Sequence, residues 1–494
     1  MLMSEINIGV MRSIYFTVAG PSILVANYFR GKCLTQQLLP KELERERKKR
    51  EMEKKLTALS HLFVTVFLSG FSTIIVAPAI IDVTMFSLCP GTDECSLAIY
   101  LSGFQQAIIG LGTALMMPII GNLSDQYGRK ALLTLPMTLS IIPLAILACN
   151  RTTNYFYAYF AFKTLTDMVC QGSINCLALA YLADNISYRQ RASAFGILAG
   201  VTSAAYVCGT LAARFLSTGL AFQVATFVSL FAVVYMRIFL EESIPADQGE
   251  GITQPILKDG EEDNVIQNDD NAPTKVPPFK KIPSLGDVIY LMKNSPSFAQ
   301  AAIVAFFNNL GEGGMESSSM YYLKARFHFN KNQFADLMLI GGIVATISQL
   351  FIMPLLVSPI GDGRLLSIGL FASCVYAILY SIAWSAWVPY AAAAVSTVMV
   401  FAPPSLRSIA SKQAGPREQG KAQGCISGII SLANIMAPLI FSPLTSLFLS
   451  EGAPFHFPGF SIICIAITLM IAFIQSLMIG RAPSTSNAEN STEV

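Results

Sequence analysis

Two pairs of ionisable residues stand inside stretches that are otherwise apolar. Glu312 and Glu316 lie four residues apart within NNLGEGGMESSS (308–319), so on a helix they share one face. A carboxyl beside a like charge in a poor dielectric can hold and release a proton, which is the chemistry that proton coupling needs. Gly311, Gly313 and Gly314 weaken a helix here and could leave backbone groups free to line a cavity, to which Asn308 and Asn309 would add amides. Counting about 1.5 Å per residue from Phe298 places Glu312 roughly 21 Å along the segment. Glu316 then reaches the far interface, where a watery outer vestibule is the plainer reading. Lys163 and Asp167 are also four apart. Each charge at mid-membrane costs at least about 2.5 kcal/mol on insertion scales. Either this pair neutralises itself so that the segment can enter lipid, or it serves substrate binding or coupling.

Little else in the chain suggests reactive chemistry. Ten cysteines are scattered without a C-x-x-C pair, which argues against a zinc site. GPREQGK (415–421) has phosphate-loop spacing, but Ala422 stands where Ser or Thr is needed and no strand precedes it. The reading is therefore no enzyme, no cofactor, no metal and no nucleic acid. Cys89 and Cys95 bracket a loop on the non-cytosolic side, where a disulfide could form. Uncharged polar stripes occur at Thr65, Ser69 and Ser72, at Gln105 and Gln106, and at Ser427, Ser431 and Asn434. Each residue taken singly is better explained by helix–helix hydrogen bonding.

These residues need helices in a bilayer to position them. Of 494 residues 53% are hydrophobic and only 13% charged, with a net charge of +2; soluble chains carry about 25% charged residues. Twelve apolar segments are long enough to span: 56–81, 97–120, 131–149, 155–183, 193–214 and 219–240, then 296–323, 334–357, 364–383, 386–406, 422–449 and 456–480. The chain thus divides into a basic N-terminal extension (1–55), a six-helix bundle (56–240), a polar linker (241–295), a second six-helix bundle (296–480) and a tail (481–494). Lys and Arg gather in loops on one side, among them Arg129, Arg189, Arg191, Arg364, Arg407 and Lys412. That bias puts both termini and the linker in the cytosol. KELERERKKREMEKK (41–55) reads as a juxtamembrane helix drawn to anionic lipid.

GNLSDQYGRK (121–130), between the second and third segments, is the most specific local pattern. It resembles the loop motif of the major facilitator superfamily, G-x-L-(S/A)-D-(R/K)-(Y/F)-G-R-(R/K). Gly121, Asp125, Gly128, Arg129 and Lys130 match, while Gln126 replaces the usual base. SPIGDGR (358–364) echoes it in the second half. Gly121 permits close helix approach, and Asp125 can cap a helix N-terminus or pair with Arg129. HLFVTVFLSGFSTIIVAP (61–78) and ALAYLADN (178–185) resemble the hippocampus-abundant-transcript branch, also called tetracycline-resistance-like, and SLRSIASKQAGPREQGKAQG (405–424) resembles the second half of tetracycline-efflux-type members.

The resemblance implies an all-α membrane protein of two pseudo-symmetric six-helix bundles that rock about a central site. It implies a transporter of a small organic solute, with protons as a candidate second partner, working as a monomer. Drug–proton antiporters carry G-P-x-x-G-G in the fifth span, and Gly209–Arg214 keeps only its first glycine. Transport is therefore implied, and antiport is not. The competing reading is a receptor, sensor or trafficking factor on the same fold.

Overall fold

A computed structural model describes residues 57–88, 96–243, 295–329, 331–415, 418–449, 453–455 and 457–479. Cys89, Cys95, the 41–55 segment and most of the linker lie outside them. The chain divides into a short unit, Met1–Ser60, and a body, His61–Val494, that carries all that follows except the first turn of the first helix.

The described residues build helices. α1 (Thr57–Leu88), α2 (Ser96–Tyr127) and α3 (Arg129–Cys149) are followed by α4 (Thr153–Cys170) and α5 (Ser173–Asn185). Then come α6 (Arg191–Phe215) and α7 (Thr218–Phe239). The second half contributes α8 (Pro296–Phe327), α9 (Asp336–Ile360), α10 (Asp362–Ser381), α11 (Val388–Lys412), α12 (Gln419–Leu449) and α13 (Phe460–Ile479). Ten of these segments are long and apolar enough to cross a bilayer. The other two of the twelve expected spans are the split pair α4/α5 and the polar α8. The break leaves α5 short, and the polar and charged side chains of α4 and α8 lower their hydropathy.

Three boundaries differ from the sequence reading. α2 continues to Tyr127, so Asp125 sits on its last turn rather than in a loop. The fourth span is not continuous: it breaks at Gln171 and Gly172, where Gly172 takes a left-handed conformation (φ 79°) that favours glycine. α11 continues through Lys412, which moves Arg407 from a cytosolic loop into a helix. The glycines of 311–314 do not loosen α8, which runs unbroken. A Cβ at Gly311 would press on Leu469, and one at Gly314 on Phe441 and Ile465. These glycines allow α8 to pack closely on α12 and α13.

Each half has its own packed centre. Ile75, Leu147, Phe156 and Phe222 meet in the first, and Leu310, Tyr322, Tyr380 and Ile465 in the second. Large apolar side chains such as Phe215, Phe227 and Leu355 point outward, as lipid contact requires. The halves meet along two seams, α2 against α12 and α6 against α9. In lipid there is little hydrophobic drive between helices, so close backbone approach and interhelical hydrogen bonds hold such seams. On the first seam a Cβ on Gly424 would lie 2.6 Å from the Met117 carbonyl oxygen, and one on Gly428 would lie 2.9 Å from that of Ala114. On the second, Gly196 and Gly200 receive Met353 and Leu350. Ser203 there donates to the Gln349 side chain at 2.9 Å. Gln349 lies in a π-helical turn, Ser348–Ile352, just before Pro354, which has no N–H to give.

Candidate functional site

The 121–130 segment forms a latch between the halves. The Asp125 carboxylate accepts the backbone N–H groups of Gly420 (2.9 Å) and Lys421 (2.8 Å), in the first turn of α12. First-turn amides have no intrahelical acceptor and form the positive end of the helix, so a carboxylate there is favoured. Arg129 is 1% exposed and donates to Asp125, to Ser124 and, at 2.8 Å, to Asp184. Its guanidinium pairs with the Asp125 carboxylate and fixes it toward the seam. A Cβ at Gly121 would come within 2.1 Å of the Gly420 carbonyl oxygen, so only glycine lets the two backbones touch here.

Gly128 starts α3 at φ 94°, ψ 152°, and Gly361 starts α10 at φ 83°, ψ 153°. The echo in the second half is thus a repeat of backbone geometry. Its charges are exchanged. The first half pairs a base at the start of α3, Arg129, with an acid at the end of α5, Asp184. The second pairs an acid at the start of α10, Asp362, with a base at the end of α11, Lys412.

Two further parts of the latch were not singled out from the sequence. Glu242, just past α7, accepts the Arg129 N–H at 2.6 Å and the Lys130 N–H at 3.1 Å, capping α3. Lys130 enters the latch through this backbone N–H. Arg191, at the start of α6, donates to the Ser411 carbonyl at 2.8 Å and to the Ala183 carbonyl at 2.9 Å, tying α11 to the first half. A glutamate directly after a span and an arginine opening one were the available signals, and both also fit an ordinary polar loop.

Beside the latch lies a cavity of about 660 Å³ between α2, α5, α11 and α12. Its polar lining includes Arg407, Gln171, Asn175, Ser427, Ser431 and Asn434. The stripe on the eleventh span and Gln106 of the second thus face one space. Met117, Ile430, Ile435 and Leu439 supply an apolar wall. Arg407 donates to the Gln423 side chain at 3.3 Å and to the Ser427 hydroxyl at 3.2 Å. Its position came to light only because α11 is longer than its apolar run suggests.

The other candidate residues are placed as follows. Lys163 and Asp167 form an ion pair of 2.7 Å on α4. Asn308 donates to Glu312 at 3.0 Å, and Asn309 donates to the Ala305 carbonyl at 2.8 Å. Glu316 is exposed while Glu312 is half-buried. None of these six residues lines the cavity beside the latch.

The chain is similar to hippocampus abundant transcript 1 protein of Mus musculus, 25% identical over 346 residues, covering 69% of this chain and 65% of that protein. It therefore spans less than two thirds of that relative's length. It is also similar to multidrug resistance protein 2 of Bacillus subtilis (strain 168), 23% identical over 371 residues, covering 73% of this chain and 83% of that one. Its fold matches the crystal structure of the human organic anion transporter MFSD10 (TETRAN) at TM-score 0.67 and 16% identity, over 85% of this chain and 99% of that chain. Residues 62–438 match the family model of the Major Facilitator Superfamily, and this multi-pass membrane chain belongs to that superfamily.

Proposed function

We propose that this protein is a secondary transporter that carries a small organic solute across a membrane by alternating access. The observation that carries this reading is the Asp125 latch: a charged cap spanning the two halves, next to a solute-sized cavity. Such a contact is made or lost as a unit when the halves rock, so it can switch which side the cavity faces. Relatives named for multidrug and tetracycline resistance support an organic solute. With both termini and the 241–295 linker in the cytosol, the latch closes the cytosolic side. The two bundles, 56–240 and 296–480, are the rocking bodies, and a monomer suffices. Proton coupling belongs to Glu312, a carboxyl of α8 held by the Asn308 amide.

The test is uptake into proteoliposomes with and without an imposed pH gradient. Accumulation driven by the gradient in the native protein, and lost in Glu312→Gln, is the expected result. Uptake indifferent to the gradient and unchanged by the substitution removes the proton part. If Asp125→Asn and Glu312→Gln both leave cellular function intact, a non-transporting receptor or trafficking role replaces the transporter.

A further inference from the structure

The cavity beside the latch carries one formal charge, and it is positive. Its lining contains Arg407 and no Asp or Glu. Among the described residues, Arg407 has no carboxylate within ion-pair distance; its side-chain acceptors are the neutral Gln423 and Ser427. Of the other basic residues nearby, Arg129 is matched by Asp125 and Asp184 and Lys412 by Asp362, while Arg191 is taken up by the Ser411 and Ala183 carbonyls and is not in the cavity lining. An uncompensated guanidinium inside a membrane bundle is costly and is retained where it meets water or a charged partner. It has five N–H donors in a planar fork, of which Gln423 and Ser427 accept from one nitrogen, Nη1.

A second feature points the same way. The fourth span breaks at the cavity, and Gly172 and Asn175, at the N-cap and in the first turn of α5, both line it. That N-terminus has no side-chain cap, and with Gly172 and Asn175 in the lining the positive end of the helix lies at the cavity wall. Broken helices that aim half-helix N-termini at anionic groups are a known device of transport sites. The apolar wall of Met117, Ile430, Ile435 and Leu439 suits a hydrocarbon or aromatic body.

We infer that the solute is an organic anion whose carboxylate, sulfonate or phosphate is held between the Arg407 guanidinium and the N-terminus of α5, with its apolar body against Met117, Ile430 and Ile435. This deepens the transporter reading and rests on it for the word solute. The binding site itself is tested separately from transport.

Purified full-length protein in nanodiscs is titrated with 1-naphthoate, naphthalene-1-sulfonate and benzoate, with methyl 1-naphthoate and 1-naphthylmethylammonium as neutral and cationic counterparts. Ligand binding is read as a rise in melting temperature. At least one anion is expected to bind at least tenfold more tightly than both counterparts. Arg407→Gln should weaken it at least tenfold, and Arg407→Lys should restore part of the loss. Should Arg407→Gln be unstable, Asn175→Asp leaves Arg407 in place and sets a carboxylate in the same cavity. It too should weaken the anion at least tenfold, which a purely structural Arg407 would not explain. The inference is overturned if no anion binds, if ester or ammonium binds as tightly, or if folded variants keep full anion affinity. Uptake of the same probes into proteoliposomes separates the two readings. Arg407-dependent binding without uptake counts against transport and leaves the site standing. Uptake of a neutral or cationic solute by Arg407→Gln protein does the reverse.

Discussion

Asp125 and Gly420 are 295 residues apart in sequence, and the carboxylate of one accepts the backbone N–H of the other at 2.9 Å. The cap joins a side chain of the first half to a helix terminus of the second, so neither half can satisfy it alone. Hydrogen bonds to charged groups contribute about 1.5–3 kcal/mol each. That is enough to favour one conformation strongly and little enough to be released by substrate binding elsewhere.

Asp125→Asn keeps an acceptor oxygen but removes the charge that draws it to the end of α12. A loss of about 2 kcal/mol corresponds to roughly a 30-fold shift toward the open latch. With native cysteines replaced, a Ser431→Cys reporter in the cavity should react with an impermeant maleimide from the latch side at least tenfold faster in the Asp125→Asn background. Equal labelling rates would mean that the cap does not hold this side shut.

The glycine seam makes a graded prediction. Gly424→Ala drives a methyl to 2.6 Å from the Met117 carbonyl oxygen, and Gly428→Ala drives one to 2.9 Å from that of Ala114. Overpacking of this kind costs about 1–3 kcal/mol, so melting temperature should fall for both and more for Gly424→Ala. Gly341 is the control, because nothing lies within 4 Å of a Cβ there. Alanine favours a helix interior by about 1 kcal/mol over glycine, and Gly341→Ala should be neutral or slightly stabilising. Destabilisation at all three positions would show that helix propensity is not the term at work and that seam packing does not rank them.

Much of this arrangement is readable from the chain because membrane spans are set by one strong variable, hydropathy over about 20 residues. The 121–130 motif was legible for a related reason. Gly128 and Asp125 serve needs that few other residues meet, a positive φ and a charged cap. What stayed hidden depends on tertiary company. The break at Gln171 and Gly172 falls in the polar stretch QGSIN (171–175), which fits helix–helix hydrogen bonding within an unbroken span equally well. Arg407 follows the apolar end of its span, and a positive charge there fits a cytosolic loop equally well. Only the path of α11 and α12 distinguishes the two. Glu242 likewise becomes a cap only once the end of α7 is brought beside the start of α3.

That cap can be removed by itself. Glu242→Ala frees the Arg129 and Lys130 amides that its carboxylate now accepts. It also withdraws a negative charge from the N-terminus of α3. Cap losses cost about 1 kcal/mol, so melting temperature should fall modestly. The maleimide rate at the Ser431→Cys reporter should rise by less than in Asp125→Asn, because the Asp125 bonds to Gly420 and Lys421 survive. A Glu242→Ala effect equal to that of Asp125→Asn would place Glu242 inside the switch rather than beneath it.

The Lys163–Asp167 pair is open to two readings, and a double variant separates them. The two groups bond to each other at 2.7 Å and neither lines the cavity, although Thr113 of the lining donates to the Asp167 carbonyl at 3.4 Å; a pair that makes α4 insertable fits this. Lys163→Met alone strands the Asp167 carboxylate in a segment where an unpaired charge costs about 2.5–3.5 kcal/mol on insertion scales. Membrane expression should therefore fall. Asp167→Asn alone strands the ammonium with the same result, softened because the Lys163 side chain is 30% exposed and can reach water. The double variant, Lys163→Met with Asp167→Asn, removes both charges and should recover expression and uptake together. Uptake per molecule that stays low while expression recovers would return the pair to the transport pathway, since insertion would then be satisfied and some step of the cycle would still need the charges.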